Sequence, residues 1–225
     1  MSTSVLILAK SGGGKSSSIR NLPSKETFVF NVCKKELPFK GASKNYVEIS
    51  EKNPSGNMLS SDDYDMVTKT IDYIDKKRPE IKYVVIDDSQ YLIVNEFMKK
   101  HSTHGKGNDV FQLYNSIGDH FWKLLWNSKS YRNDMFVFFL HHSEESETGQ
   151  IKAKSIGKML DEKVDIPGMF SFVFYACRDG QKNIFYTQND GTHPAKTPMG
   201  MFEDEKIDND LLFVSKKIKS YYEEV

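Results

Sequence analysis

An apolar run, Val5-Leu6-Ile7-Leu8, passes directly into Ala9-Lys10-Ser11-Gly12-Gly13-Gly14-Lys15-Ser16 and then into a segment able to start a helix. A buried strand, a glycine-rich bend and a helix in succession leave few folds open, because consecutive backbone N–H groups of such a bend converge on an anion. The pattern is that of a nucleotide-phosphate cradle. Lys10, Ser11, Gly12, Gly13, Gly14 and Ser17 surround the phosphates, Lys15 reaches the outer ones, and the Ser16 hydroxyl ligates Mg²⁺. Ala9 stands where G-x-x-x-x-G-K-[ST] has its first glycine, a mild replacement if that residue keeps φ below zero. The alternative is a Gly/Ser-rich turn that happens to precede Lys-Ser.

Strand and helix signals alternate along the rest of the chain. Residues 16–22 are expected to form a helix stopped by Pro23, and residues 27–33 a second strand. Residues 34–54 are polar, broken by Pro38 and Gly41, with a short strand expected at 46–49. Ser60-Ser61-Asp62-Asp63 offers caps for a helix whose Tyr64, Val67, Ile71 and Ile74 step by three or four and which ends near Lys76-Lys77-Arg78. A buried strand at 83–86 precedes Asp87-Asp88, and helices are expected at 91–100 and 111–126. Strands at 135–140 and 170–177, a hairpin partner at 183–187 and a helix at 209–222 complete the chain. The reading is one α/β domain over residues 1–225, a three-layer P-loop NTPase of the RecA-like/ASCE kind with a mostly parallel sheet and an antiparallel C-terminal extension.

Hydrolysis needs a carboxylate at the end of a neighbouring buried strand for the Mg²⁺ shell, and Asp87 after Tyr83-Val84-Val85-Ile86 meets that demand as a Walker B candidate. A helix N-cap is the bland alternative for it. A second group must orient or deprotonate water. Asp88 is the first choice, Glu36 just past the second strand its rival, and Glu96 on the next helix a distant third. The strand at 135–140 ends in His141-His142, where a polar sensor for the γ-phosphate belongs, His142 being the candidate; capping an edge is the alternative. His101 and His104 have no clear carboxylate or thiol companions and read as non-ligands.

Thirty-one basic residues balance 31 acidic ones, so no global field singles out nucleic acid or membrane, and any polyanion site must be local. Residues 1–50 nonetheless hold eight Lys/Arg against three Asp/Glu, a skew that fits phosphates gathered near the N-terminus as well as a solvated face. Cys33 and Cys177, in segments that read as buried strands, lack C-x-x-C spacing and read as inert thiols of a reducing compartment. The run at 135–140 is too short to cross a bilayer, and no charged region followed by an apolar core opens the chain. A cytoplasmic protein is expected.

The stretches Lys-Ser-Gly-Gly-Gly-Lys-Ser-Ser-Ser-Ile-Arg-Asn-Leu (10–22), Val-Ile-Asp-Asp-Ser-Gln-Tyr-Leu (85–92) and Phe-Phe-Leu-His-His-Ser-Glu (138–144) together resemble the small bacteriophage P-loop ATPases of the RecA-like/AAA type. So do Ile-Gly-Lys-Met-Leu-Asp-Glu-Lys (156–163) and Ala-Lys-Thr-Pro-Met-Gly-Met-Phe (195–202). Some members of that group look like minimal recombinases that support single-strand annealing. The resemblance implies an ATP- and Mg²⁺-dependent ATPase in phage DNA recombination or replication, binding single-stranded DNA as a homo-oligomer with ATP at subunit interfaces, in the host cytoplasm. It also implies a basic residue acting on the neighbouring subunit's nucleotide, with Lys152, Lys154, Arg178 and Lys196 as candidates. DNA would be followed by the loop 101–109 with Lys99, Lys100 and Lys106, and by the loop 143–158 with Lys152, Lys154 and Lys158. Two other functions are open: a nucleoside or nucleotide kinase, although the four arginines are too scattered for the usual lid, and a non-hydrolysing loader or packaging accessory protein.

Overall fold

The computed structural model describes residues 1–103, 107–146 and 149–223, with the backbone alone at 158, 159 and 162. Its strands are β1 (Thr3–Ala9), β2 (Thr27–Asn31), β3 (Met58–Leu59), β4 (Tyr83–Asp87), β5 (Phe136–Glu145), β6 (Ile151–Ala153), β7 (Phe172–Asp179), β8 (Lys182–Tyr186) and β9 (Lys206–Asp208). The α-helices are α1 (Ala42–Asn45), α2 (Tyr64–Lys77), α3 (Gln90–Lys100), α4 (Asn108–Asn127), α5 (Gly157–Lys163) and α6 (Leu211–Glu223).

The sheet runs β3-β2-β4-β5-β1-β7-β8-β9, parallel from β3 to β7 and antiparallel from β7 to β9, with β6 antiparallel to the end of β5. Side chains alternate across it, so each strand feeds two cores. Leu6, Leu8, Phe30, Val84 and Phe139 pack under α2, α3 and α4 on one face. Val5, Ile7, Val85, Phe138 and Phe174 pack under Ile19 and the α6 residues Leu211, Val214 and Ile218 on the other. Fully buried strands covered on both sides explain the uninterrupted apolar runs. This is the expected three-layer α/β architecture, mostly parallel with an antiparallel end. Because β1, β5 and β4 are parallel neighbours, their carboxyl ends, which carry the glycine loop, His142 and Asp87, lie at one edge of the sheet.

Local chemistry accounts for the departures from expectation. The segment after the glycine loop is a six-residue 3-10 helix, Ser16–Asn21, rather than an α-helix. The Ser18 hydroxyl donates to the Lys15 carbonyl, competing for the bonds an α-helix would use, and Pro23 holds Leu22 extended. The strand expected at 46–49 is reduced to a bridge between Glu48 and Met58. There, a Cβ on Gly56 would lie 2.5 Å from Ile49 backbone. β5 takes in both histidines because they pair with Leu8 and Ala9 of β1, and it continues to Glu145 because β6 supplies an antiparallel partner for residues 143–145, so His141 and His142 lie within the strand rather than capping it. β9 was not anticipated. Cys33 lies in the turn after β2 and, like Cys177 in β7, is half-buried and free.

α2 forms as its spacing dictates. Asp63 caps it by accepting a 2.8 Å hydrogen bond from the Met66 N–H, and Val67, Ile71 and Ile74 are fully buried. Among the described residues, no helix is long and apolar enough to cross a membrane. Ile71→Ala should lower the unfolding free energy by about 2–5 kcal/mol, whereas Met66→Ala on the exposed face of α2 should change it by less than about 0.5 kcal/mol. Equilibrium urea unfolding measures both.

Candidate functional site

The glycine loop follows β1 without strain at Ala9, which is extended, fully buried and paired with His142 across the sheet. Its side chain satisfies the condition that φ stay negative. Two glycines are demanded by close approach. A Cβ on Gly13 would lie 2.8 Å from the Ala176 carbonyl oxygen and 3.0 Å from the Ala9 Cβ, and Gly14, at φ 90°, has the Asn183 side chain 2.8 Å from the same imaginary atom. The Lys10 carbonyl accepts the Gly13 N–H at 3.1 Å, closing the turn. Ser11, Gly12, Gly14 and Ser17 line a cavity of about 370 Å³, with Lys15, Asp88 and His142 on its inner wall.

Lys15 is 6% exposed. Burial pulls its ammonium below the usual range, while the charges of Asp88 and Asp87 pull it back. Its Nζ lies 4.0 Å from Asp88 Oδ1 and makes a long 3.5 Å contact with His142 Nδ1. The Ser16 hydroxyl donates to Asp87 Oδ1 at 2.8 Å. Asp87 is pushed up to about 6 by burial and by the adjacent Asp88 charge, with the Ser16 hydrogen bond and Lys15 opposing. A hydroxyl and a buried carboxylate held together are hard oxygen donors of the kind Mg²⁺ takes. Among the described residues, no three metal-binding side chains cluster, so a cation here would complete its shell from phosphate oxygens and water, as Mg²⁺ commonly does. Ser16 and Asp87 therefore fit that ion.

Asp88 has φ 58°, a left-handed conformation that turns its carboxylate into the crevice. Burial disfavours its charge, yet His142 and Lys35 bind it and Lys15 faces it, so its carboxyl is held well below the usual range. Lys35 Nζ is 2.5 Å from Asp88 Oδ2. His142 Nε2 is 2.9 Å from Oδ1, near enough for an ion pair but off the angle a hydrogen bond needs, which leaves a buried nitrogen without a well-aligned partner. His141 is the structural member of the pair. Its Nε2–H donates to the Lys154 carbonyl at 2.7 Å and its Nδ1 accepts from the Ser89 hydroxyl at 2.9 Å, tying β5 to the start of α3 and to the segment after β6. Burial pushes it down to about 4.

Other candidates lie elsewhere. Glu36 is exposed and lines a neighbouring cavity of about 670 Å³ with Leu37, Phe39 and Tyr46; the residue from that loop that reaches Asp88 is Lys35. Glu96 is engaged by Lys100 at 2.6 Å and His120 at 2.9 Å. The Lys10 ammonium pairs with Glu145 at 2.6 Å, so that only the Lys10 backbone shapes the loop. Lys196 bridges β7 through its backbone and has an exposed side chain outside the crevice wall. Lys152 pairs with Asp161 and Glu144, and Lys99 with Asp62. His101 stacks on Phe97. His104, Lys106 and the Lys158 side chain lie outside the described residues. Lys35 was missed because nothing in a Lys-Lys-Glu triplet marks one lysine as inward. Arg178, Gln181 and Asn183, which wall the crevice, were missed as members of it because the β7–β8 register alone brings them there.

His141 imposes a pH dependence on folding. Its folded value of about 4 lies below the unfolded ~6.5, so the unfolded chain binds the extra proton between the two, and stability rises with pH across that window. The stability conferred by keeping it neutral is complete above pH ~6.5 and falls by about 3 kcal/mol as pH drops to ~4. His141→Gln should be less stable than the parent at pH 7.5, with the difference shrinking by that amount toward pH 4. Chemical unfolding at a series of pH values provides the comparison.

No curated protein matches the chain. A family model described as an AAA domain matches residues 1–199, a span that contains the glycine loop, Asp87, Asp88, His142 and the β7–β8 hairpin. The chain belongs to the AAA domain family of P-loop NTPases.

Proposed function

We propose that residues 1–225 form one ATPase domain that hydrolyses ATP with Mg²⁺ in the crevice beside the glycine loop. The observation that carries this reading is the convergence of a buried Lys15 with the Ser16–Asp87 pair at the carboxyl ends of β1 and β4, parallel strands on either side of β5. In this reading the N–H groups of residues 12–14 receive the phosphates, and the Lys15 ammonium leaves Asp88 for the outer phosphate oxygens. Ser16 and Asp87 would hold Mg²⁺, which when bound neutralises charge on the phosphates. Asp88, firmly ionised, accepts a hydrogen bond from the attacking water and orients it; its low proton affinity suits orientation better than proton removal. His142 contacts the γ-phosphate through the ring nitrogen that lacks an aligned partner. Glu36 is the rival for water, and Lys196 is a candidate to act on a neighbour's nucleotide.

The reading extends, through the resemblance of the sequence to phage RecA-like ATPases, to work on single-stranded DNA in recombination or replication by a homo-oligomer in the host cytoplasm. Lys99, Lys100 and Lys152 sit in surface ion pairs. Such pairs are worth about 0–1 kcal/mol and exchange readily for backbone phosphates. A second reading, a small-molecule kinase, is favoured by one observation. The cavity of about 670 Å³ meets the crevice at Lys35, which lines both.

Inorganic phosphate release with and without single-stranded DNA tests the proposal. Lys15→Ala should lower release by about 10²-fold or more, and DNA should raise the parent's rate. Phosphate appearing on a nucleoside would transfer the assignment to the kinase, and tight ATP binding with negligible release would transfer it to a loader. Asp88→Asn should abolish release while Glu36→Gln retains it; the reverse pattern exchanges their roles.

A further inference from the structure

We infer that Arg178 serves the nucleotide of its own chain, rather than that of a neighbouring subunit; the inference rests on the crevice being an ATP site. The β7–β8 hairpin is built against the glycine loop. β7 is parallel to β1, and its Ala176 carbonyl oxygen is the atom that forbids a side chain at Gly13. β8 returns antiparallel, with Asn183 opposite Arg178, and the Asn183 side chain is what forbids one at Gly14. The hairpin thus forms a wall of the loop that holds the phosphates, and Arg178 stands on that wall, lining the crevice with Lys15 and Asp88 of the same chain.

The state of its guanidinium points the same way. Arg20 bonds the Asn209 carbonyl, Arg78 pairs with Glu80, and Arg132 pairs with Asp75 and Asp134. Arg178, exposed at the crevice, has no acid within ion-pair distance among the described residues. An uncommitted planar cation beside a phosphate cradle is suited to bidentate contact with phosphate oxygens, and to the charge that accumulates on them during transfer. Of the other basic residues considered for that task, Lys152 is committed to Asp161 and Lys196 lies outside the wall. Arg178 thereby supplies within one chain the cation that a neighbour would otherwise lend.

The test uses the full chain with Mg·ATP and reads two quantities, binding of a fluorescent ATP analogue and phosphate release. Arg178→Ala should fold normally, since its side chain is exposed, and should lose about 10²-fold in release, with weakened binding; Arg178→Lys should recover part of both. Mixing Arg178→Ala chains with Lys15→Ala chains distinguishes the two arrangements. Activity that stays at the sum of the separate variants supports action within the chain, as does the same loss in a protein that sediments as a monomer. Recovery toward the parent in the mixture would overturn the inference, because the Lys15→Ala chains would then be lending their Arg178 across an interface. So would unaltered binding and release in Arg178→Ala. A parent chain that fails to bind the analogue would instead remove the ATP-site reading itself, before any variant is compared.

Discussion

A lysine ammonium shut away from solvent is the constraint around which the crevice is organised. Lys15 loses most of its hydration on folding, a cost that must be met by nearby negative charge. Asp88 and Asp87 supply it, but two adjacent buried carboxylates raise each other's proton affinity. The tension is divided unequally: Asp87 is pushed up to about 6, while Asp88, with Lys35 and His142 on its two oxygens, stays ionised. These groups come from four strands or the loops beyond them, Lys15 after β1, Asp87 and Asp88 at the end of β4, Lys35 after β2 and His142 in β5, so the balance depends on β1, β5, β4 and β2 being parallel and in register. The two apolar cores enforce that register, since a slip by one residue would exchange the faces of a fully buried strand.

Under the proposed function, that arrangement would suit a polyphosphate. A phosphate entering the loop offers Lys15 a better partner than Asp88 at 4.0 Å. Withdrawal of Lys15 would leave Asp88 to Lys35, 2.5 Å from its Oδ2 at the crevice wall. The Ser16 hydroxyl bonds Asp87, and a buried carboxylate of raised proton affinity is one that a divalent ion would convert fully to its charged form. Under the proposed function, these groups would change partners together on binding Mg·ATP.

Much of this was legible in the sequence, for local reasons. An apolar run followed by Gly12-Gly13-Gly14-Lys15-Ser16, and another ending at Asp87, carry their meaning within a dozen residues, and the central strands and α2 followed from periodicity and capping. Three kinds of feature were not legible. The Ser18 hydroxyl, bonded to the Lys15 carbonyl, competes with the helical bonds of the segment after the loop, which takes a 3-10 form that helical spacing does not encode. The extension of β5 past its apolar run depends on pairing His141 and His142 with the end of β1, and residues 143–145 with β6 across a polar loop. Lys35 and Arg178 reach the crevice only because of where the turn after β2 and the β7–β8 hairpin are placed, and isolated basic residues in polar segments carry no sign of that.

The central claim is that Mg·ATP occupies the crevice by drawing Lys15 away from Asp88. A crystal structure with Mg²⁺ and a non-hydrolysable ATP analogue tests it most directly. The account predicts phosphates against the backbone of residues 12–14, the Lys15 ammonium on their outer oxygens, and the cation on Ser16 with Asp87 beside it. A crevice left empty, with Lys15 still facing Asp88 and His142 while the analogue binds elsewhere, would contradict it.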